Sequence, residues 1–483
     1  VAGLVGTLAM VVFSNLFCTV VGNPNAYFAV LSIAPTIFFG CLIAAYRGYY
    51  EGLCDMRPTA ISQVVEMVVK LIVGLAAAVL VIQYAEQCFL TTGIVFGVSV
   101  SDMDQTHSAA MPYAAAASVL GVTFSNLVGA IYLIIRYRRD KGIKKEELDS
   151  SPKPERARYL LKNLVKIAFP ICLGGIVANM TSLIDLISMM NQLRYLVVNK
   201  LDELMELYSA VIPANMPVQD IPNYLYGSYT GLAVSIFSIV PAVTAVLAKS
   251  ALPSITSSWV RNDRNGIRRS IEMVMRISSV VVIPSGFGIA ILAKPILSLL
   301  FSSRPNEVEL AWTSLAIMGV GVIFLALSTP LFAVMQAIGR ADLPVKHMII
   351  GSILKLALNI WLVSVPRLNI NGAAIATTVC YAFIFFLELI ALVKITGMKF
   401  RFGTMFFKPM FAALFCAAGA YAANGLCCRV FPQKVSVLIA IVVSAMIYLI
   451  VLFSIKGITK SDLLSLPMGK KVLKVLENLG FML

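Results

Sequence analysis

Apolar runs of membrane-spanning length recur along nearly the whole chain. No stretch between them has the polar face that a water-soluble core of 483 residues would need. A helix crosses a bilayer in about 20 apolar residues, and runs of that length satisfy their backbone in lipid only by coiling. With 59% hydrophobic and 13% charged residues, the chain carries about half the charge of a soluble domain. The expected fold class is an all-α polytopic membrane protein. Twelve spans are read at about 1–21, 27–46, 59–83, 111–135, 165–190, 229–252, 277–301, 310–337, 345–365, 371–393, 406–428 and 434–455.

Charge placement orients these spans. With a cytoplasmic C-terminus, 29 of the 39 Lys and Arg fall on the inside. Arg194, Lys200, Arg304, Arg367, Arg429 and Lys434 fall outside, and Lys70, Lys249, Lys294 and Lys355 lie within spans. This is the positive-inside pattern, and it accounts for the net charge of +15 without nucleic acid as a partner. A multi-pass protein of the plasma membrane is expected. The basic loop from Arg136 to Lys166 ends in RARYLLKNLVK, whose spacing suggests an amphipathic helix on anionic inner-leaflet lipids. The outer loop, from about 191 to 226, carries NKLDELMELYSAV, a short surface helix with Leu201, Leu204 and Leu207 on one face.

The charged hairpin AYRGYYEGLCDMRPTAISQ, Ala45 to Gln63, falls inside. Arg47 and Arg57 are expected to hold it at the anionic face, Gly48 and Gly52 to let the chain turn, and Pro58 to start the next helix. EGLCDMRPTAISQVVEMVVKL is matched by QAIGRADLPVKHMIIGSILKL, in which Pro344 and Lys355 stand where Pro58 and Lys70 do. The span parity also matches, which points to a duplicated six-span lobe and two pseudo-symmetric halves. The plan expected is an N-terminal lobe at 1–136 with four of six spans and a basic linker at 137–164. A complete lobe at 165–397, a helix pair at 398–456 and a cytoplasmic tail at 457–483 follow.

Ionisable groups at membrane depth mark candidate sites. Glu66 and Lys70, four apart on one helix, are expected to neutralise each other. Lys294 and Glu388, near span ends, are expected to snorkel. Asp185 and Lys249 lie deep with no partner on their own helices. They are the candidates for a polar cavity, with Arg194 at its outer end. Gly93 and Gly97 fit a helix-packing spacing. Asp102 and Asp104 read as a solvated turn. GFGIA at 286–290 lies within a span and follows no strand, which excludes a dinucleotide loop. Nine cysteines without CxxC spacing and only two histidines imply neither a disulfide framework nor a histidine-rich metal centre. With no nucleophile–base pair and no phosphate loop, an enzyme is not expected.

RGYYEGLCDMRPTAISQVVEMVVKL resembles the signature of SpoVB-like proteins, which include the MurJ-type lipid II flippases of the MOP transporter superfamily. The resemblance continues through SLIDLISMMNQL, YGSYTGLAVSIFSIVPAVTAVLAKSALPSI, IPSGFGIAILAKPILSLLF, LPVKHMIIGSILKLALN and INGAAIATT. It implies a MATE-like plan of fourteen spans, two six-span lobes plus a pair, in which this chain starts at the third. It also implies alternating-access transport of an undecaprenyl-pyrophosphate-linked glycan, lipid II or a relative. The implied head-group cavity draws on the span holding Asp185 and Arg194 and on the span holding Lys249. Cell-wall synthesis proteins are candidate partners, in vegetative growth or sporulation, and no resident cofactor is implied. Coupling to sodium or protons is implied. A sodium site would draw on Asp185, Asn359 and Thr378, although Val363 stands where a second carboxylate is expected. A multidrug–cation antiporter on the same fold and a non-transporting membrane scaffold are the alternatives.

Overall fold

A computed structural model describes residues 2–21, 23–53, 55, 57–140, 156–213 and 216–457. Most of the expected basic linker and nearly all of the expected tail lie outside these residues. So do the side chains of Lys249, Asp104 and several residues of the helix over 157–199. Among the described residues, eleven helical stretches are long and apolar enough to cross a membrane. They match eleven of the twelve expected spans, and the remaining one falls on the 43-residue helix Ala157–Asn199. The chain divides into two compact units, Val1–Glu155 and Arg156–Leu483.

The first unit holds α1 (Ala2–Val21), α2 (Tyr27–Ile33), α3 (Pro35–Gly52), α4 (Arg57–Thr92) and α5 (Met103–Arg139). Pro35 breaks α2 from α3. Hydroxyls from neighbouring helices donate to two carbonyls beside the break. Thr123 Oγ1 donates to Ser32 O at 2.7 Å and Thr7 Oγ1 to Ala34 O at 3.2 Å. Gly48 is helical and Gly52 closes α3; neither has a positive φ, so neither makes the turn expected of it. The real turn glycines are Gly93 and Gly97, at φ +65° and +87°. With Phe96 at φ +48°, they shape a two-stranded hairpin of β1 (Ile94–Val95) and β2 (Val98–Ser99). Positive φ at both central residues suits the twist of such a hairpin. The Gly93–Gly97 spacing is therefore not a helix-packing motif. Asp102 caps α5. Its Oδ1 accepts from Gln105 N at 2.7 Å, while Gln105 Oε1 accepts from Ser101 N at 3.0 Å, a reciprocal arrangement close to a capping box.

The second unit opens with α6 (Ala157–Asn199), about 65 Å long at 1.5 Å per residue. The basic segment expected to lie on the membrane surface is the continuous N-terminal part of this helix. α7 (Leu201–Tyr208) is the expected short helix, with Leu204 fully buried. α8 (Ile221–Ser228) runs through a π-helical turn at Tyr229–Val234 into α9 (Ile239–Val260). α10 (Arg264–Ile291), α11 (Ala293–Leu300), α12 (Pro305–Ala337), α13 (Asp342–Val363), α14 (Asn369–Thr396), α15 (Lys408–Cys427) and α16 (Gln433–Ser454) follow.

The span expected at 277–301 is thus displaced. α10 starts at Arg264, and one of its four arginines is paired within a turn. Arg268 Nε donates to Glu272 Oε1 at 3.0 Å, and that oxygen also accepts from Arg401 N at 3.1 Å. Pro284 cannot bond the carbonyl of Val280, and Tyr448 of α16 supplies the missing donor at 2.8 Å. This bond ties the C-terminal helix pair to α10. The main core of the unit runs through α6, α8–α12 and α14.

Candidate functional site

A buried polar cluster lies where α6 meets α13. The two helices run in the same sense there, so three levels of polar residues pair in order. Thr181 and Ser352 hydroxyls lie 3.1 Å apart. One turn on, Lys355 Nζ donates to Asp185 Oδ2 at 2.6 Å. At the third level Asn359 Nδ2 donates to Asp185 Oδ1 at 2.9 Å and to Ser188 Oγ at 3.0 Å. Ser188 Oγ in turn donates to the carbonyl of Ile184, so its hydroxyl proton is committed and it accepts from Asn359. Lys355 is 2% exposed, Asp185 16%. The ammonium also lies 5.8 Å from the ring centre of Tyr381 on α14, within cation–π range.

Spacing builds this site. Thr181, Asp185 and Ser188 sit at i, i+4 and i+7 on α6. Ser352, Lys355 and Asn359 sit at i, i+3 and i+7 on α13. Each set is one helical stripe. Lipid solvates the apolar faces around the stripes, so the polar stripes pair with each other. A charge buried alone costs far more than a paired one, so the pairing is enforced.

The expected site residues divide. Asp185, Lys355 and Asn359 come together. Arg194 is half-buried on α6, but nine residues beyond Asp185 places it about 14 Å along the axis and on the opposite face. Lys249 lies on α9, which packs against α10 and α12; its side chain is outside the described residues. Thr378 turns away, donating to Ile317 O at 3.3 Å and resting against Gly321. Val363 is fully buried.

This donor set does not fit a sodium ion. A hard cation takes oxygen ligands, and here an ammonium and an amide N–H face both oxygens of the one carboxylate. The carboxamide oxygen of Asn359 is buried without a partner among the described residues, but one oxygen makes no cage. Among the described residues no cluster of His, Cys, Asp and Glu could hold a metal.

In the first unit Glu66 pairs with Arg47, not with Lys70. Arg47 Nη2 lies 2.6 Å from Glu66 Oε1, and its Nε and Nη2 donate to Ser62 Oγ at 3.0 and 2.8 Å. Arg47 therefore bridges α3 to α4. Lys70 is exposed. Gly129 of α5 lies against Glu66, where a Cβ would strike the carboxylate. Pro58 is buried in the first turn of α4 and Pro344 in that of α13, while Arg57 is exposed. Glu388 does not snorkel: it is fully buried and 2.8 Å from His347. Lys294 pairs with Glu309 at 2.7 Å and covers the Trp312 ring.

Comparison with known proteins agrees with this architecture. The family model described as Lipid II flippase MurJ matches residues 224–426. Stage V sporulation protein B of Bacillus subtilis is 22% identical over 94% of this chain and 78% of its own length. Lipid II flippase MurJ of the same organism is 23% identical over 70% of this chain. That match spans 55% of the flippase's length. The solved structure of a lipid II flippase MurJ in an inward closed conformation superposes with a TM-score of 0.55. It has 15% identity and covers 93% of this chain and 80% of its own. In sequence the chain is similar to SpoVB- and MurJ-type proteins, and its fold is that of the solved flippase.

Proposed function

We propose that the chain is a transporter that moves an undecaprenyl-pyrophosphate-linked cell-wall precursor across the cytoplasmic membrane by alternating access. The MurJ-type fold supports the class of activity, and the buried Asp185–Lys355–Asn359 cluster is the observation that carries the reading. A charged cluster at membrane depth is costly to keep and by default marks the passage of a polar group. Lys355 supplies the cationic partner a pyrophosphate needs, and Asp185 holds it neutral until the substrate head competes for it. A cationic drug would instead need a free buried acid, and Asp185 is already paired. The charge asymmetry supports a cytoplasmic C-terminus.

Complementation of a bacterium depleted of its own lipid II flippase tests the reading. The full chain should restore growth and the flow of precursor to the outer leaflet. A chain that reaches the membrane at normal level and restores neither would refute it.

A further inference from the structure

A second buried acid–base pair lies outside the Asp185 cluster, on the seam between α13 and α14. His347 Nδ1 and Glu388 Oε1 are 2.8 Å apart, with the side chains 14% and 0% exposed. The other carboxylate oxygen, Oε2, is buried and has no hydrogen-bond partner among the described residues. An unpartnered oxygen on a charged carboxylate at this depth is costly. Intramembrane acids and histidines of this kind are the usual material of proton pathways.

Among the described residues no other titratable group answers the pair. On α13, Lys346 is turned to Asp342 at 3.2 Å and Lys355 is engaged by Asp185. On α14, Cys380 bonds Gly351 O and Tyr381 sits beside Lys355, while Lys394 lies in the last turn. α6 contributes Cys172, which is exposed, and Asp185, which is already paired. The side chain of Lys166 on that helix is outside the described residues. The acids of α12, Glu307 and Glu309, stand near its start, whereas Glu388 lies beyond the level where Phe324 meets Phe385.

One proton shared between imidazole and carboxyl leaves the pair neutral. Losing it leaves a net negative charge with no counter-ion among the described residues, and gaining a second leaves a net positive one. Either change favours a state in which the seam opens to water. His347, Gly351, Lys355 and Asn359 recur every four residues along one face of α13. Movement of α13 against α14 at His347 is therefore transmitted to Lys355 and Asn359 on the same helix.

We propose that His347 and Glu388 form a proton-binding site whose occupancy controls opening of the α13–α14 seam and couples proton movement to transport. The proton enters from water at the exposed edge of His347, is held between Nδ1 and Oε1, and returns to water when the seam opens. The coupling rests on the transport reading above; the proton site does not.

The test uses the purified full chain in liposomes and has two arms. Infrared difference spectra across pH should show a carboxyl band that titrates, is lost in Glu388→Gln and changes midpoint in His347→Gln. Translocation of a fluorescent lipid-linked precursor should be stimulated by an imposed pH gradient in the parent, and both variants should lose that stimulation. Should Glu388→Gln fail to fold, the change of midpoint in His347→Gln carries the first arm. An unchanged carboxyl titration in both variants overturns the site. Equal gradient stimulation in parent and variants overturns the coupling. A titrating Glu388 band in a chain that translocates nothing supports the site and overturns the transport reading.

Discussion

Both units place an ion pair on a helix that follows a charged hairpin and a proline, and they bury it differently. In the first, Arg47 and Glu66 remain 19% and 17% exposed, and the arginine is shared with Ser62. In the second, Lys355 is 2% exposed and its acid lies 170 residues away in sequence. The acid stands on the helix after the hairpin in the first unit, and the base does in the second. The repeat therefore preserves the hairpin and proline but not the chemistry, since Lys70 is exposed and Lys355 is buried. The difference teaches where each pair acts. Arg47–Glu66 fastens α3 to α4, while Asp185–Lys355 holds two long helices together at a level where water is scarce.

The largest effect should come from breaking the buried pair. Lys355→Met leaves Asp185 charged and uncompensated, and stability should fall by about 3–5 kcal/mol, read as a lower thermal midpoint in detergent. Asp185→Leu combined with Lys355→Met should recover most of that loss, because an apolar pair of similar volume removes the desolvation cost. A double variant as unstable as the single would break the comparison.

Next comes the close approach on which the first unit depends. A Cβ on Gly121 would lie 2.5 Å from the backbone of Gly74, so Gly121→Ala must push α4 from α5. A cost of roughly 1–3 kcal/mol follows, measured the same way. Glu66→Gln should cost less, about 1 kcal/mol, because both partners reach some solvent and the glutamine can still accept from Arg47. Lys70→Gln should stay within about 0.5 kcal/mol. A larger loss there would restore the Glu66–Lys70 pairing that sequence spacing suggested.

That suggestion shows the limit of local spacing. An i,i+4 rule describes neighbours on an isolated helix, and a guanidinium from the adjoining helix outcompetes it. The spans and the duplicated hairpin were legible because apolar run length and charge asymmetry are properties of the chain alone. The depth of Asp185 was legible for the same reason. Its partner was not, because Lys355 becomes one only when α6 and α13 lie side by side. Glu388 looked like a residue at a span end, and nothing near it in sequence announced His347, 41 residues earlier. A signal was available in the first case: polar residues at i, i+4 and i+7 on α6, and at i, i+3 and i+7 on α13, are stripes that must find each other. The start of α10 was not legible because a helix can run past the apolar stretch, and its charged first turns carry no span signal.

The central claim is that the polar seam of the second unit, not the ion pair of the first, serves transport. The most direct test measures translocation of a fluorescent lipid-linked precursor by the full chain in liposomes, for parent, Asp185→Leu/Lys355→Met and Arg47→Met/Glu66→Leu, at equal thermal stability. The account predicts that the first double variant folds and fails to translocate, while the second translocates at the parent rate. Parent-like translocation by the Asp185/Lys355 variant would contradict it.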